Sequence, residues 1–419
     1  MTDATGDLGS PAVEASAGTS GEPAALAAWW APCLATLGAR AGRHGPIARG
    51  LITEAIAHLE QVLSTKPFGT VGGMAVSAAV HESLADRPAP PGLEAAAAAT
   101  YLALDLIDDQ MDGDPPGFWR SADPGAAGLG CHLLLAIARA EAADIRLPQG
   151  EIRAGDVFDE MFADVVEGQL MGERSLTVET TPGDVEDGIR RRSGAMLAGF
   201  ARLAALAAGA SAEQIAAATA FGAHCGIARQ HLNDVTELVS GRRTDLRNGT
   251  ATMPIAFALQ GLSDERDRHD LLARVRAAAD DDAGHARLLA ALAPEIAQTC
   301  LLAHLHLAQA RDRIPYLRSP GVRQDGLHRL VDEAAAAMPG NRRGMTTSDD
   351  GQAALAQVRE KFIADPEFRA EVRADPAAAL EKALGRPLSD GESAQVAALA
   401  SSSDDDVIES LRSGQVGSW

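Results

Sequence analysis

The sequence predicts an all-α protein that consists of one large helical bundle and a small helical appendage at the C-terminus. Long Ala- and Leu-rich segments dominate the chain, such as "GLEAAAAATYLALDLI" and "AMLAGFARLAALAAGA". Both residue types are strong helix formers, and no run shows the clear two-residue alternation of a half-buried strand. Gly/Pro clusters such as "DRPAPPG" and "GDPPG" separate the helical segments.

Changes in composition divide the chain into five segments. The N-terminal segment, 1–22, is predicted to be disordered, and it lacks the basic start and apolar run of a signal peptide. Segment 23–338 carries the bundle pattern, and "MPGNRRGMTTSDDGQ" then breaks it, which predicts a linker over 339–352. Short helical pieces fill 353–412, and a Gly/Ser-rich tail, 413–419, ends in a tryptophan.

The composition excludes several classes of partner. The chain has 37 Lys and Arg residues against 58 Asp and Glu residues, a formal net charge of −21. Such a surface repels nucleic acid and anionic membranes, and no stretch reaches the roughly 18 uncharged apolar residues of a membrane span. The four cysteines lie far apart without metal-binding spacing, which suits a reducing compartment. We therefore expect a cytoplasmic protein without nucleic-acid partner or membrane span.

The first acidic cluster ends a long apolar helix. "LDLIDDQMDGD" places Asp108, Asp109 and Asp112 at positions i, i+1 and i+4. A helix turns 100° per residue, so Asp108 and Asp112 point in almost the same direction. Mg²⁺ takes oxygen ligands and commonly binds one or two carboxylates together with substrate phosphates. By itself the cluster is compatible with a metal site or with a solvated acidic helix end.

A second cluster repeats this spacing and favours the metal interpretation. "GIARQHLNDVTELVSG" places Asn233, Asp234 and Glu237 at i, i+1 and i+4. Two such faces opposed across a bundle would hold several Mg²⁺ ions around a diphosphate and stabilise its departure from an allylic carbon. The carbocation left behind needs a dry apolar pocket, which Ala-rich helices would provide.

Several motifs in order resemble those of the trans-isoprenyl diphosphate synthase superfamily, over roughly residues 60–335. "DDQMD" resembles its first aspartate-rich motif, "VVEGQLM" its E-G-Q helix, and "RRRSGAML" its K-[ST]-x-x-L helix with Arg192 in place of Lys. "RQHLNDVTELVSGRRTDLRNGTATMP" resembles Q-x-x-D-D-x-x-D followed by D-L-x-x-G-K-x-T-L-P. The resemblance implies an isoprenoid-synthase helical bundle and a metal-dependent prenyltransferase; we also expect a homodimer.

The resemblance also implies a set of site residues. The implied Mg²⁺ ligands are Asp108, Asp109, Asp112, Asn233, Asp234 and Glu237. The implied diphosphate-binding residues are Lys66, Arg192, Gln230 and Arg243. Ala103 stands five residues before the first Asp, where the family places a floor of the prenyl-chain pocket, and Tyr101 would be a deeper floor. Because Ala103 is too small to close the pocket, we expect farnesyl or geranylgeranyl diphosphate as the donor rather than geranyl diphosphate.

Departures from the family pattern concern the second substrate. Thr250 replaces the Lys of G-K-x-T, no Arg accompanies Lys66, and the Arg-Arg-Gly that usually follows the first motif is missing. In the family these basic residues hold isopentenyl diphosphate, so we expect little chain elongation. The pattern is most similar to that of the tryptophan prenyltransferases of ComX-type pheromones, which share an altered second motif and a D-D-x-x-D-x-D…W stretch, matched here through Trp119.

The C-terminus suggests what the acceptor is. Residues 362–386 resemble the leader segments of nitrile-hydratase-like peptide precursors, and a spacer and a flexible tail with a terminal Trp419 follow. This layout predicts a tryptophan prenyltransferase fused to its own peptide substrate, within one chain or between two. The seven residues 413–419 reach up to about 23 Å when extended, and tethering raises the effective concentration of the tail.

Three other functions compete with this hypothesis. The first is a prenyl diphosphate synthase that condenses allylic and isopentenyl diphosphates, with a chance tryptophan at the end of the chain. The second is a non-catalytic synthase subunit, which should have lost its acidic motifs. The third is a terpene cyclase, whose N-D-x-x-S-x-x-x-E motif would need Ser at Glu237 and Glu at Gly241.

Overall fold

A computed structural model describes residues 22–65, 71–85, 87–111, 124–148, 152–172, 176–240, 243–319 and 324–337, and the isolated residues 150, 322 and 382. Throughout this part of the chain the regular elements are helices, and no strand is present, which confirms the predicted all-α class. The predicted N-terminal segment up to residue 21, the linker, the leader-like segment (except residue 382) and the tail lie outside the described residues.

Six helices form the first half of the bundle: α1 (Glu22–Ala41), α2 (Pro46–Thr65), α3 (Gly72–Leu84), α4 (Pro91–Met111), α5 (Pro124–Ala143) and α6 (Ala154–Gly172). The second half begins with α7 (Pro182–Ile189), a π-helical turn (Arg190–Gly194), α8 (Ala195–Ala208) and α9 (Ala212–Ser240). It continues with α10 (Thr244–Asn248), α11 (Met253–Gly261), α12 (Glu265–Ala278), α13 (Asp282–Ala291), α14 (Ala293–Arg313), a 3₁₀ turn (Ile314–Tyr316) and α15 (Asp325–Ala336).

The centre of the bundle is made of α3, α4, α8 and α9. Side chains of residues 95–99, all alanine, are at most 1% exposed, because α4 is surrounded by neighbouring helices. Trp30, Phe200 and Phe221 are the largest side chains fully buried in this core. Small residues let the helix axes approach closely while the few aromatic rings fill the remaining space. A second apolar cluster, from α9 to α13, packs beside the end of α9.

Glycines bring α6 and α9 into contact with the π-helical turn. A Cβ added to Gly168 of α6 would lie 2.3 Å from the backbone nitrogen of Arg192, and one added to Gly226 of α9 would lie 2.1 Å from the carbonyl oxygen of Ser193. Any larger residue at either position would force the backbones apart. The two glycines therefore fix where the basic segment 190–192 stands relative to α6 and α9.

Within the described residues, no single helix has the length and apolar composition needed to cross a membrane. One pair of helices, Asp282–Ala291 with Ala293–Tyr316, meets those criteria together, with a bend of 64° between its members.

Candidate active site

One cavity of about 690 Å³ opens at the ends of α4, α6 and α9, next to α7 and the π-helical turn. Asp108 and Asp109 of α4 line it together with Asn233, Asp234 and Glu237 of α9. The structure therefore brings the described members of both predicted acidic clusters to the same space. Asp112 lies outside the described residues.

The cavity carries a large excess of negative charge. Among the described residues that line it, Arg192 is the only basic side chain, whereas eight are carboxylic acids. They are Asp105, Asp108, Asp109, Glu179, Asp184, Asp234, Glu237 and Asp245. Carboxylates at such density repel one another unless cations lie between them. Carboxylate and amide oxygens are the ligands that Mg²⁺ prefers, so this donor set fits hard divalent cations.

The α4 cluster lies at the C-terminal end of its helix, where acidic residues are unfavourable. Asp105, Asp108 and Asp109 occupy the last two turns, and the last turn contains no basic residue. The C-terminal end of a helix carries a partial negative charge, so acidic residues there are destabilising. Asp108 is exposed, and Gln169 of α6 donates a hydrogen bond of 2.8 Å from Nε2 to its Oδ1. Asp105 Oδ2 lies 3.6 Å from His58 Nε2, and the position of the three carboxylates at the end of α4 is consistent with a binding role.

Asp234 of the α9 cluster has a very different environment. Its side chain is 5% exposed. Gln230 Nε2 donates to Oδ1 at 3.0 Å, and the backbone N–H of Met253 donates to Oδ2 at 3.2 Å. Burial raises the pKa of Asp234, an effect that the hydrogen bond from Gln230 opposes. Asp234 thus joins α9 to the start of α11, while Asn233 is exposed and Glu237 half-buried beside it.

Gln230 connects this anchor to the π-helical turn. Ser193 donates from Oγ to Gln230 Oε1 at 2.9 Å, while the Gln230 amide nitrogen is engaged by Asp234. Gln230 lines the cavity, as predicted for a diphosphate-binding residue, but both ends of its amide are engaged within the protein. In this structure its evident role is to position Asp234.

Of the three arginines in the π-helical turn, Arg192 is the one that lines the cavity. Arg190 pairs with Asp187 at 2.7 Å, and Arg191 pairs with Glu167 at 3.1 Å and Asp164 at 3.4 Å. Arg192 instead lines the cavity, where a Cβ added to Gly172 would lie 3.3 Å from its Nη1. Short π-helical segments inside α-helices often occur at functional sites, because they change the direction in which side chains point.

Other predicted residues lie elsewhere or outside the described residues. Arg243 is not among the residues that line the cavity, and its guanidinium pairs with Asp282 of α13. Ala103 is fully buried in the core and also does not line the cavity. Tyr101 is half-buried, and burial, with the nearby Asp105 carboxylate, raises its pKa. The predicted residues outside the described part of the chain are Lys66, Asp112, Trp119 and Trp419.

Sequence reasoning missed several cavity residues. Asp105 stands one helical turn before Asp108 and Asp109, so the same spacing argument would have found it. Asp245 and Asn248 belong to the D-L-x-x-G segment that follows α9, of which only Thr250 was considered. Glu179 precedes α7 and Asp184 lies in its first turn, and neither belongs to a recognisable motif. Part of the Asp184 carboxylate is already used, because Thr181 donates to its Oδ2 at 2.6 Å.

Comparison with known proteins identifies the family that this arrangement resembles. Residues 127–291 match the polyprenyl synthetase family. The match includes Arg192 and the α9 cluster, but it begins after the α4 cluster. A dimethylallyltranstransferase of Mycobacterium tuberculosis is 28% identical over 188 residues, which span 43% of this chain and 57% of that protein.

Solved structures of polyprenyl synthetase relatives establish the fold. A polyprenyl synthase from Caulobacter crescentus CB15, complexed with calcium and isoprenyl diphosphate, has a TM-score of 0.63 at 18% identity and covers 78% of this chain and 99% of its own. A decaprenyl diphosphate synthase from Rhodobacter capsulatus has a TM-score of 0.62 at 20% identity, with 76% and 99% covered. The predicted isoprenoid-synthase bundle is thereby confirmed.

Proposed function

We propose that this chain is a Mg²⁺-dependent prenyltransferase that removes diphosphate from an allylic prenyl diphosphate and transfers the prenyl group to a nucleophile. The observation that carries the proposal is the meeting of the α4 and α9 acidic clusters in one cavity with Arg192. This cavity combines eight carboxylic acids among its described lining residues with an arginine that can bind phosphate.

The residues of the cavity divide this work among them. Asp108, Asp109, Asn233 and Glu237 offer the oxygens that would hold Mg²⁺. Bound metal ions would neutralise charge on the departing diphosphate. Arg192 donates charge-assisted hydrogen bonds to phosphate oxygens, which are among the stronger polar contacts. Gln169 orients Asp108, and the buried Asp234 keeps α9 in register with α11.

The acceptor that we favour is the indole of a peptide tryptophan, specifically Trp419 of the chain itself. A second diphosphate, as needed for elongation, would find little cationic support in the described lining, where Arg192 is the only basic residue and Thr250 stands in place of a lysine. An indole is neutral and needs no such support. The leader-like segment and the Gly/Ser-rich tail of the sequence would provide the route by which Trp419 reaches the cavity.

A second candidate is a trans-prenyl diphosphate synthase, which joins allylic and isopentenyl diphosphates. The names of the similar proteins favour it, since they include a decaprenyl diphosphate synthase and a geranylgeranyl pyrophosphate synthase. The two candidates share the first step and differ only in what attacks the allylic carbon.

Intact-mass spectrometry distinguishes the two acceptors. The full chain is incubated with Mg²⁺ and geranyl, farnesyl or geranylgeranyl diphosphate, each with and without isopentenyl diphosphate, and is then mapped by peptide. We expect a farnesyl or geranylgeranyl adduct confined to 413–419. Trp419→Phe should abolish the adduct, whereas the matched control Trp119→Phe should retain it. Efficient formation of longer free diphosphates without any adduct would instead establish the synthase.

A further inference from the structure

Behind one wall of the cavity, three side chains from three helices converge on a point that the prenyl-transfer chemistry does not use. Glu186 of α7, His231 of α9 and His306 of α14 each place a ligand atom within 4.8 Å of the other two. His231 is completely buried, His306 is 8% exposed, and the Glu186 side chain is 19% exposed. No motif in the sequence links these residues, so only the packing of the helices brings them together.

The surroundings make this convergence costly for the fold. The neighbouring side chains of α7, α9 and α11 form a small apolar cluster that includes Val185, Ile189, Ile227 and Met253. Ionisable groups buried in such surroundings destabilise a protein unless each of them is paired or binds a metal.

The three groups do not satisfy one another with hydrogen bonds. His231 Nε2 lies 3.1 Å from Glu186 Oε2, yet neither atom has a hydrogen-bond partner of acceptable geometry among the described residues. The contact between His306 Nε2 and Glu186 Oε1, at 3.6 Å, is too long for a hydrogen bond. Both ring nitrogens of His231 and Oε2 of Glu186 are thus buried without a hydrogen bond among the described residues.

A fourth residue fixes the orientation of His306. Its Nδ1 lies 3.0 Å from Nδ1 of the buried His224. Burial, aided by the nearby His306 and Arg313, lowers the pKa of His224 to about 3. The Nδ1 atom of a neutral His224 can accept a hydrogen bond. In the tautomer in which His306 Nδ1–H donates to His224, the Nε2 lone pair of His306 faces Glu186. Histidines that bind metals almost always donate their other ring N–H to such a partner.

We propose that Glu186, His231 and His306 bind a zinc ion that ties α7, α9 and α14 together. Two histidines and a glutamate form an established zinc ligand set. Zn–N and Zn–O bonds of about 2.0–2.2 Å place tetrahedral donor atoms about 3.3–3.5 Å apart, which small side-chain shifts can reach because the three ligand atoms already lie within 4.8 Å of one another. Water would occupy the fourth position. Because Asp234 follows His231 on α9, the ion would also hold that cavity wall in place.

The zinc content of the protein tests the proposal without an activity assay. The full chain, freed of any affinity tag, is incubated with Zn²⁺, dialysed and analysed by plasma mass spectrometry. We expect one tightly bound zinc per chain. Glu186→Gln and His306→Asn should each lose it, whereas His304→Asn, an exposed histidine on the same helix, should retain it. Asp109→Asn, in the cavity, should also retain it.

Two further readouts keep the outcome clear if a variant folds poorly. Co²⁺ in place of zinc should give the intense visible bands of tetrahedral coordination in the wild type and in His304→Asn, but not in Glu186→Gln. Zinc should raise the Tm of the same two proteins by several degrees, because it binds the folded chain selectively. Absence of stoichiometric zinc from the wild type would overturn the proposal. Zinc retained in Glu186→Gln and lost in Asp109→Asn would do the same, since it would assign the ion to the cavity.

Discussion

The two acidic clusters have the same spacing in the sequence and very different surroundings in the fold. On α4, Asp108 is exposed and receives one hydrogen bond, from Gln169. On α9, the second residue of the cluster, Asp234, is 5% exposed, and both of its carboxylate oxygens accept hydrogen bonds from the protein. Spacing decides which side chains share a face of a helix, but neighbouring helices decide which oxygens remain available to a ligand.

This difference gives the two clusters different roles, in metal binding and in structural anchoring. On α4, Asp108 is exposed and can bind metal at little cost to the fold. The α9 cluster combines a structural anchor, Asp234, with the more accessible Asn233 and Glu237. Substitutions in the first cluster should therefore affect activity alone, whereas the central residue of the second should affect stability as well.

The largest expected effect is on catalysis at α4. Asp108→Ala should lower the rate of diphosphate release by about 10³-fold or more, because removal of one metal ligand leaves phosphate charge uncompensated. Its free energy of unfolding should change by less than about 0.5 kcal/mol, since the side chain is exposed. Asp159→Ala, another exposed helical aspartate, is the matched control and should retain activity. Unchanged turnover in Asp108→Ala, or in the wild type with a chelator, would refute the metal assignment.

At α9, substitution of the buried aspartate should change stability strongly, unlike substitution of Asp108 on α4. Asp234→Ala should lower the free energy of unfolding by about 2–3 kcal/mol, because it leaves the Gln230 amide and the Met253 N–H without their acceptor. The neighbouring Asn233→Ala, at an exposed position, should reduce activity with little change in stability. Denaturant unfolding of both variants measures the contrast. Equal stability of the two would show that the buried hydrogen bonds do not anchor α9.

Helix α4 contains both kinds of carboxyl, and its buried one makes stability depend on pH. Glu94 is 4% exposed, and burial, with a contribution from Glu82, raises its pKa to about 8. A carboxyl whose pKa is higher in the folded state favours folding at low pH, and this contribution is lost as pH rises. Between pH 5 and pH 8 the free energy of unfolding should fall by about 3 kcal/mol. Glu94→Gln should remove that part of the slope, which unfolding measured at several pH values will test; an unchanged slope would contradict the assignment.

The smallest expected effect comes from making the two clusters more alike. Asn233→Asp adds at α9 the charge that Asp108 carries at the same position on α4. More negative charge among the ligands tightens the binding of divalent cations, so the Mg²⁺ concentration for half-maximal rate should fall about 3-fold. Titration of activity with Mg²⁺ measures this. An unchanged Mg²⁺ concentration for half-maximal rate would indicate that residue 233 does not contact the metal.

The sequence could predict what depends on local pattern. Ala- and Leu-rich segments predicted the helices, and the i, i+1, i+4 spacing predicted that Asp108 and Asp109 would share one face, because helix geometry is fixed by the backbone. The ordered motifs indicated that α4 and α9 would face each other and that Arg192 would join them. Asp105 was within reach of the same argument, since it lies one turn away on α4.

What remained undecided by the sequence depends on contacts between distant segments. Arg192 and Arg243 looked equivalent as cations, but close packing at Gly168 and Gly226 holds the π-helical turn so that Arg192 lines the cavity, while Arg243 pairs with Asp282. Asp234 looked like a free ligand until α11 placed the Met253 N–H beside it. Glu186, His231 and His306 meet only because α7, α9 and α14 pack together, and burial there changes their chemistry. Local spacing sets the direction of a side chain, whereas its partners, its exposure and its charge state are set by the helices packed around it.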